Sequence, residues 1–331
     1  MNRAMSTKDQ LLIGLKRRKG AWISGEALAQ EMAISRSAVW KHICALKDEG
    51  YVVESSRKKG YLLRELSSLL LPNEIQEGLN TNVFGKRKIA YFTQTDSTNL
   101  RAKDLAHEGA PEGTVVVAEK QIQGRGRRGR SWFSPLGEGI YASIIMRPLI
   151  SPNEAPGLTL MASVAVAEAI QTLTSLNVHI KWPNDIMIYG RKVAGILTEI
   201  STEMDRVDYV IVGLGMNVNI SHENFPPDLR DKATSILMET GKTFPRVTLL
   251  RAYLEEHEKY YELFTLNGFG PVLNRWKQLA DIIGRRITVD LMEHRYTGEV
   301  LDIDREGFLI LRDHEGRMQR IISGDVTLLN D

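Results

Sequence analysis

The sequence predicts a multidomain α+β chain in three segments, and three observations carry that prediction. Apolar residues recur at helical spacing through residues 1–66, strands cluster in hairpins across residues 83–280 instead of alternating with helices, and short alternating strands with Gly turns fill residues 281–331. Residues 67–82, with Ser67, Ser68, Pro72 and Asn73, read as a linker. At 331 residues the chain has room for about two domains of roughly 150 residues and a small third module. Apolar residues at 43% and charged residues at 25% are globular averages, which argues against a disordered, collagen-like or channel chain. The single cysteine, Cys44, cannot form an internal disulfide, and no Cys and His cluster offers a zinc framework, so a reducing, cytoplasmic setting is expected. The apolar stretch 11–15 is short, and no run is expected to reach the ~18 apolar residues of a membrane span.

The net charge of +2 hides a division. Residues 1–66 hold 13 Lys+Arg against 7 Asp+Glu, a net of +6, whereas residues 67–331 hold 30 against 34, a net of −4. A basic front on a slightly acidic body points to a nucleic-acid contact made by the front alone. Leu11, Leu12 and Leu15 give a first helical stripe, Leu28, Ala29 and Met32 a second, and Val39, Ile43 and Leu46 a third. Ser24 and Ser35 stand where N-caps belong and, with Arg36, Ser37, Trp40 and Lys41 on the outward side of the third helix, are expected to contact DNA, as in a helix-turn-helix. Strands at 51–53 and 61–63, joined by a turn with Arg57, Lys58 and Lys59, add a wing. The third helix would enter the major groove while the wing touches phosphates. The bland alternative is an inert accessory with a solvated charge run.

The central segment predicts strands at 89–93, 114–120, 140–147, 179–182, 186–189, 193–200 and 209–214, and helices at 98–107, 157–175, 247–265 and 270–280. The last segment, with strands at 286–291, 296–303, 308–312 and 318–322, predicts a small SH3-like β-barrel.

Chemistry concentrates in a few motifs. Gly124-Arg125-Gly126-Arg127-Arg128-Gly129-Arg130 fits the GxGxxG pattern, yet Ser131 to Pro135 follow where a dinucleotide fingerprint needs a helix. Glycines let backbone close tightly and guanidinium forks pair with phosphate or carboxylate, so the loop reads as a cover for an anionic substrate, or else as a solvated cationic loop. In Lys181-Trp182-Pro183-Asn184-Asp185 a rigid strand end presents Lys181, Asn184 and Asp185 together, and Asp185 could hold Mg²⁺ beside phosphates; a plain β-turn is the alternative. Lys192 opens an apolar strand, Asn217 and Asn219 share one side of another, and Asp96 to Asn99 cap a helix while offering hydroxyls and an amide. No P-loop is present.

Taken in order, Asp96-Ser97-Thr98-Asn99, Gly124 to Pro135, Lys181 to Asp185, Arg191 to Leu197 and Gly213 to Asn219 closely resemble the biotin protein ligases. With the winged helix in front, the chain resembles the type that is also a repressor of biotin synthesis genes. The resemblance implies a class II synthetase-like central fold. It implies that Ser97, Thr98, Asn99, Gln121, Arg125, Gly126, Arg127, Trp132, Lys192, Gly195 and Asn217 bind biotin or its adenylate, and the charge repulsion between a carboxylate and an α-phosphate adds the expectation that Arg127, Lys181 and Lys192 are catalytic with Mg²⁺ near Asp185. It further implies that ATP and biotin form biotinyl-5′-adenylate, which biotinylates a lysine of the biotin carboxyl carrier domain of acetyl-CoA or pyruvate carboxylase. Operator DNA and a homodimer in the adenylate-bound state complete the implied partners. The competing class is a non-catalytic winged-helix sensor of a small molecule.

Overall fold

The computed structural model describes residues 6–329 apart from Lys19, Met204, Asp205, Asp281, Met292 and Glu293. Lys19 of the basic run and Asp281 at the last expected boundary thus lie outside the described residues. The chain divides into two compact units, residues 1–77 and 78–331.

In the first unit three serines start three helices. Ser6, Ser24 and Ser35 each accept a hydrogen bond from the backbone N–H three residues on, at the heads of α1 (Thr7–Arg17), α2 (Gly25–Glu31) and α3 (Arg36–Asp48). Leu11, Leu15, Leu28, Val39, Ile43 and Leu46 form their shared core. The hairpin β1 (Val52–Ser56) and β2 (Gly60–Glu65) follows as the expected wing, antiparallel. Gly60 has φ +94°, and a Cβ there would strike the Ile23 backbone, which bridges Tyr61. Only glycine lets the wing approach α2 so closely. Residues 67–82 are not uniformly extended: α4 (Pro72–Gln76) is anchored by Glu74, which is buried and receives Lys16 at 2.6 Å and the Tyr51 hydroxyl. Burial and that carboxylate push the Tyr51 hydroxyl far above its ordinary pKa.

The second unit begins with a parallel pair, β3 (Ile89–Phe92) and β4 (Val115–Ala118), linked by α5 (Thr98–His107). Next come β5 (Gly139–Met146), α6 (Ala155–Thr174), β6 (Val178–Lys181), β7 (Asp185–Ile188), β8 (Arg191–Glu203) and β9 (Arg206–Asn217). They form a seven-stranded mixed sheet in the order β3-β4-β5-β9-β8-β7-β6, in which every pairing except the first is antiparallel. The expected strand 186–189 ends one residue early, because Tyr189 and Gly190 both take positive φ in a turn. The residues of β5 are buried along its whole length, as a central strand's apolar run should be.

Helix α6 corrects one expectation. With its short lead-in it runs over Pro152–Thr174 and contains an 18-residue stretch of mean hydropathy 1.3, long and apolar enough by composition to cross a membrane. Its apolar surface is instead covered by β6 and β8 and by α8 (Arg246–Asn267) and α9 (Phe269–Leu279), which follow the short α7 (Ile236–Thr240). The chain ends in β10 (Arg286–Asp290), β11 (Arg295–Ile303), β12 (Leu309–Arg312), β13 (Met318–Ile321) and β14 (Asp325–Leu328), a five-stranded antiparallel sheet in the order β13-β12-β11-β10-β14. Both α7 and β14 are too short to show a period and were not expected from sequence.

Candidate functional site

A cavity of about 310 Å³ opens where β8 and β9 meet the loop 121–134. Ser97, Thr98, Asn99, Gln121, Arg125, Gly126, Arg127, Trp132, Asn184, Asp185, Lys192, Gly195 and Asn217 all line it. Lys181 does not. Its strand β6 buries Val178 and Ile180 and leaves His179 and Lys181 half-exposed on the other side, so alternation carries Lys181 away from the cavity wall. The catalytic role expected for it has no geometric support. Trp182 is buried, is joined to Pro183 by a cis bond, and donates from Nε1 to the Gly307 carbonyl at 3.0 Å; it braces the strand end rather than the site.

Hydrogen bonds fix the polar floor. The Gln121 Oε1 accepts from the Thr98 N–H at 2.9 Å and its Nε2 donates to Ser134 Oγ at 3.0 Å. Ser143, the small polar residue of the buried strand β5, donates to Thr98 at 2.8 Å or to Asn99 Oδ1 at 2.6 Å. The Asn99 Nδ2 in turn reaches the Leu197 carbonyl at 3.2 Å and Glu199 at 2.8 Å. Both ends of the Asn99 amide are therefore committed to the scaffold, and a Cβ on Gly213 would overlap it. Ser143 carries a signal that sequence reading passed over: a hydroxyl inside a buried strand demands a polar partner.

The arginine loop is a tight hairpin. Trp132 N donates to the Gly124 carbonyl at 2.8 Å, Gly126 N to the Arg130 carbonyl at 2.7 Å, and Arg125 bridges Ser131. A Cβ on Gly124 would come within 2.5 Å of the Trp132 carbonyl, so the hairpin closes only on glycine. The Trp132 indole lies against Gly195 and Gly215, register partners in β8 and β9, and a Cβ on either would press into the ring. Its Nε1 is buried and has no hydrogen-bond partner among the described residues, an unspent donor in the cavity wall.

Charge lines the remaining wall. Lys192 Nζ pairs with Asp185 Oδ1 at 2.6 Å and lies 5.2 Å from the Trp132 ring centroid, while Arg127 donates to Asn184 Oδ1 at 3.2 Å. Burial lowers the Arg127 guanidinium below its ordinary pKa, opposed by Asp325 and Asp185. An arginine stays charged even so. Among the described residues lining the cavity, the cations Arg125, Arg127, Arg130, Lys192 and Lys232 outnumber the carboxylates Asp185 and Asp325, so the cavity favours an anion. Sequence reading missed Phe225, Leu229, Lys232 and Ala233, which come from a proline-bearing polar loop after β9, and Asp325 from β14. No motif marks them.

In the first unit, Arg36, Ser37, Trp40 and Lys41 are exposed on α3 and Arg57, Lys58 and Lys59 at the hairpin turn. Ser24 and Ser35 are exposed too, with hydroxyls that cap their helices. Lys59 lies 5.7 Å from the Trp22 ring centroid.

A helix-turn-helix unit joined to a sheet with an anion-receiving cavity defines a DNA-binding protein that takes an anionic ligand, either as enzyme or as sensor, and family comparisons decide between the two. Residues 7–62 match an HTH domain, residues 91–217 the Biotin/lipoate A/B protein ligase family, and residues 282–329 the Biotin protein ligase C terminal domain. The Bifunctional ligase/repressor BirA of Bacillus spizizenii is 42% identical over 324 residues, covering 98% of this chain and 99% of its own. The Escherichia coli protein of the same name is 33% identical, covering 93% and 94%. The solved Biotin protein ligase from Aquifex aeolicus in complex with biotin and ATP is 29% identical, with a TM-score of 0.63, covering 74% of this chain and all of its own. This chain belongs to the biotin protein ligases, in the bifunctional ligase/repressor group. The non-catalytic sensor is thereby set aside.

Proposed function

We propose that the cavity activates biotin with ATP as biotinyl-5′-adenylate and passes the biotinyl group to a lysine of a biotin carboxyl carrier domain. The observation that carries this reading is Lys192, held beside Asp185 and over Trp132 in a cavity that Arg125, Arg127, Arg130 and Lys232 also line. A carboxylate approaching the α-phosphate of ATP meets like charge. Lys192 and Arg127, fixed by Asp185 and Asn184, would stabilise the charge that builds on phosphate and align the displacement without a covalent enzyme nucleophile. Ser97, Thr98 and Gln121 would orient the uncharged end of biotin, Gly126 would let the ligand approach backbone closely, Gly195 would seat the Trp132 ring, and Asn217, whose Nδ2 donates to the Thr234 carbonyl at 3.0 Å, would offer its amide oxygen. The closed arginine hairpin supports a role in keeping water from the mixed anhydride.

Among the described residues no group of three His, Cys, Asp or Glu could by itself hold a metal. Asp185 has one oxygen on Lys192, which fits a single protein ligand to Mg²⁺ with phosphate oxygens and water completing its shell. Bound there, Mg²⁺ would neutralise phosphate charge. Residues 197–203 of β8 are bonded to β9 on one side and lie beyond the β7 pairing, and beyond the Asn184 contact of Ile196, on the other, which supports a homodimer formed edge to edge. Arg36, Ser37, Trp40, Lys41 and the turn Arg57 to Lys59 would contact operator DNA, and the single cysteine accords with a cytoplasmic setting.

Exchange of radiolabelled pyrophosphate into ATP, dependent on biotin, tests the chemistry. Native protein should exchange. Lys192→Ala should lose about 10²-fold or more, in the range for removing one group that stabilises transition-state charge, with unchanged circular dichroism. Near-native exchange in that variant would remove Lys192 from the mechanism.

A further inference from the structure

The arginines of the loop divide their work. Arg125 and Arg127 serve the cavity, Arg128 Nη1 turns to the C-terminal sheet, donating to the Asp290 carbonyl at 3.1 Å and to Asp325 Oδ2 at 3.2 Å, and Arg130, at the cavity rim, pairs with that same carboxylate. Asp290 and Asp325 are register partners in β10 and β14, so one rung of the C-terminal sheet supplies both acceptors. The Asp290 carboxylate is already engaged by Arg295 at 2.6 Å, which leaves its carbonyl for Arg128. Gly324 makes the rung possible, since a Cβ there would collide with Val289. Arg128 also adopts φ +55°, ψ 35°, a left-handed conformation that a long side chain takes at a cost. Glycine at 128 would make the same turn freely, so what the strained arginine adds is its guanidinium.

We infer that Asp325 is a positioning residue: it receives Arg128 and Arg130, holds the arginine loop folded over the cavity, and so makes the C-terminal sheet the latch that sets how long the activated biotinyl nucleotide is retained. This rests on the ligase reading above. It deepens that reading by giving the C-terminal sheet a part in the same site, where Asp325 also lines the wall. The latch is ionic and partly exposed, with Asp325 33% and Arg130 68% accessible, so salt weakens it.

The test uses the full chain loaded with radiolabelled biotinyl-5′-adenylate and follows its release after dilution. Asp325→Asn keeps the shape and removes the charge; release should quicken roughly three- to tenfold, the loss of two partly exposed ion pairs. Native release should rise between about 0.05 and about 0.5 M salt, and release from the variant should rise less. Arg128→Gly relieves the backbone while removing the latch, and should also release faster. Asp325→Arg combined with Arg128→Asp and Arg130→Asp should restore slow release, which a merely structural aspartate would not permit. Native-rate release from a folded Asp325→Asn protein with unaltered salt dependence overturns the latch. If native protein forms and retains the adenylate, that result leaves the ligase reading intact; native protein that forms none would sink the ligase reading instead.

Discussion

Trp132 shows how much of the site is decided by atoms that are not there. Its ring rests on two facing glycines, Gly195 and Gly215, and any side chain at 215 would share space with the indole. Gly215→Ala should therefore expel Trp132 from its seat while the strand, which tolerates alanine, stays paired. Overpacking of this kind costs about 1–3 kcal/mol, so biotin affinity should fall roughly 5- to 150-fold. Calorimetric titration reads it directly, and undiminished affinity would mean that the indole does not shape the ligand site. The glycine-arginine run and the amides of Asn184 and Asn217 were legible in the sequence because their residue types imply their chemistry. The commitment of Asn99 to Ser143, Leu197 and Glu199 was not, since hydrogen-bond partners 44 to 100 residues away leave no local trace.

At the scale of the element, α8 is the clearest case of hidden work. Its sequence predicts a helix and no more, yet Arg246, His257 and Glu258 are buried in it. Arg246 pairs with Glu119 at 2.7 Å and donates to the Gly139 carbonyl at 3.0 Å, so it clasps both ends of the segment that carries Gln121, the arginine hairpin and Trp132. Glu258 accepts the N–H groups of Asn82, Val83 and Phe84. His257 packs against Phe84 and Tyr253, and neither ring nitrogen has a hydrogen-bond partner among the described residues. Burial drives its pKa down to about 3. Because the folded value is depressed, the unfolded chain takes up a proton near pH 6.5 that the folded chain refuses. Stability from this residue is thus complete above about pH 6.5 and is lost as pH falls from there toward 3, at up to about 1.4 kcal/mol per pH unit. His257→Phe should flatten that acid limb in urea-unfolding midpoints measured between about pH 7 and pH 4. A limb as steep as the native one would show that the protonation lies elsewhere.

Across the whole molecule, the two units give a division of labour that can be cut. The first unit extends through α4 because Glu74 ties that helix to Lys16 and Tyr51, so the cut belongs after Glu77. Residues 78–331 alone should form adenylate and biotinylate a carrier domain within a few-fold of the full chain. They should also self-associate when loaded, through the free edge of β8, and should fail to bind operator DNA. Gel shift and sedimentation check these outcomes; a loaded fragment that stays monomeric would sink the edge-to-edge dimer, and one that still binds operator would put the DNA contact outside the first unit. The sequence alone was enough for the helix-turn-helix with its hairpin and for the chemistry-bearing runs, since periodicity, caps and glycine spacing act within a few residues of themselves. Tertiary structure alone decided that Lys181 faces away while Asp325, Arg246 and the loop around Phe225 to Ala233 reach the site or support it. Those assignments depend on strand register and on which distant segments pack together, and a register of one residue turns a side chain to the opposite face without changing the local pattern.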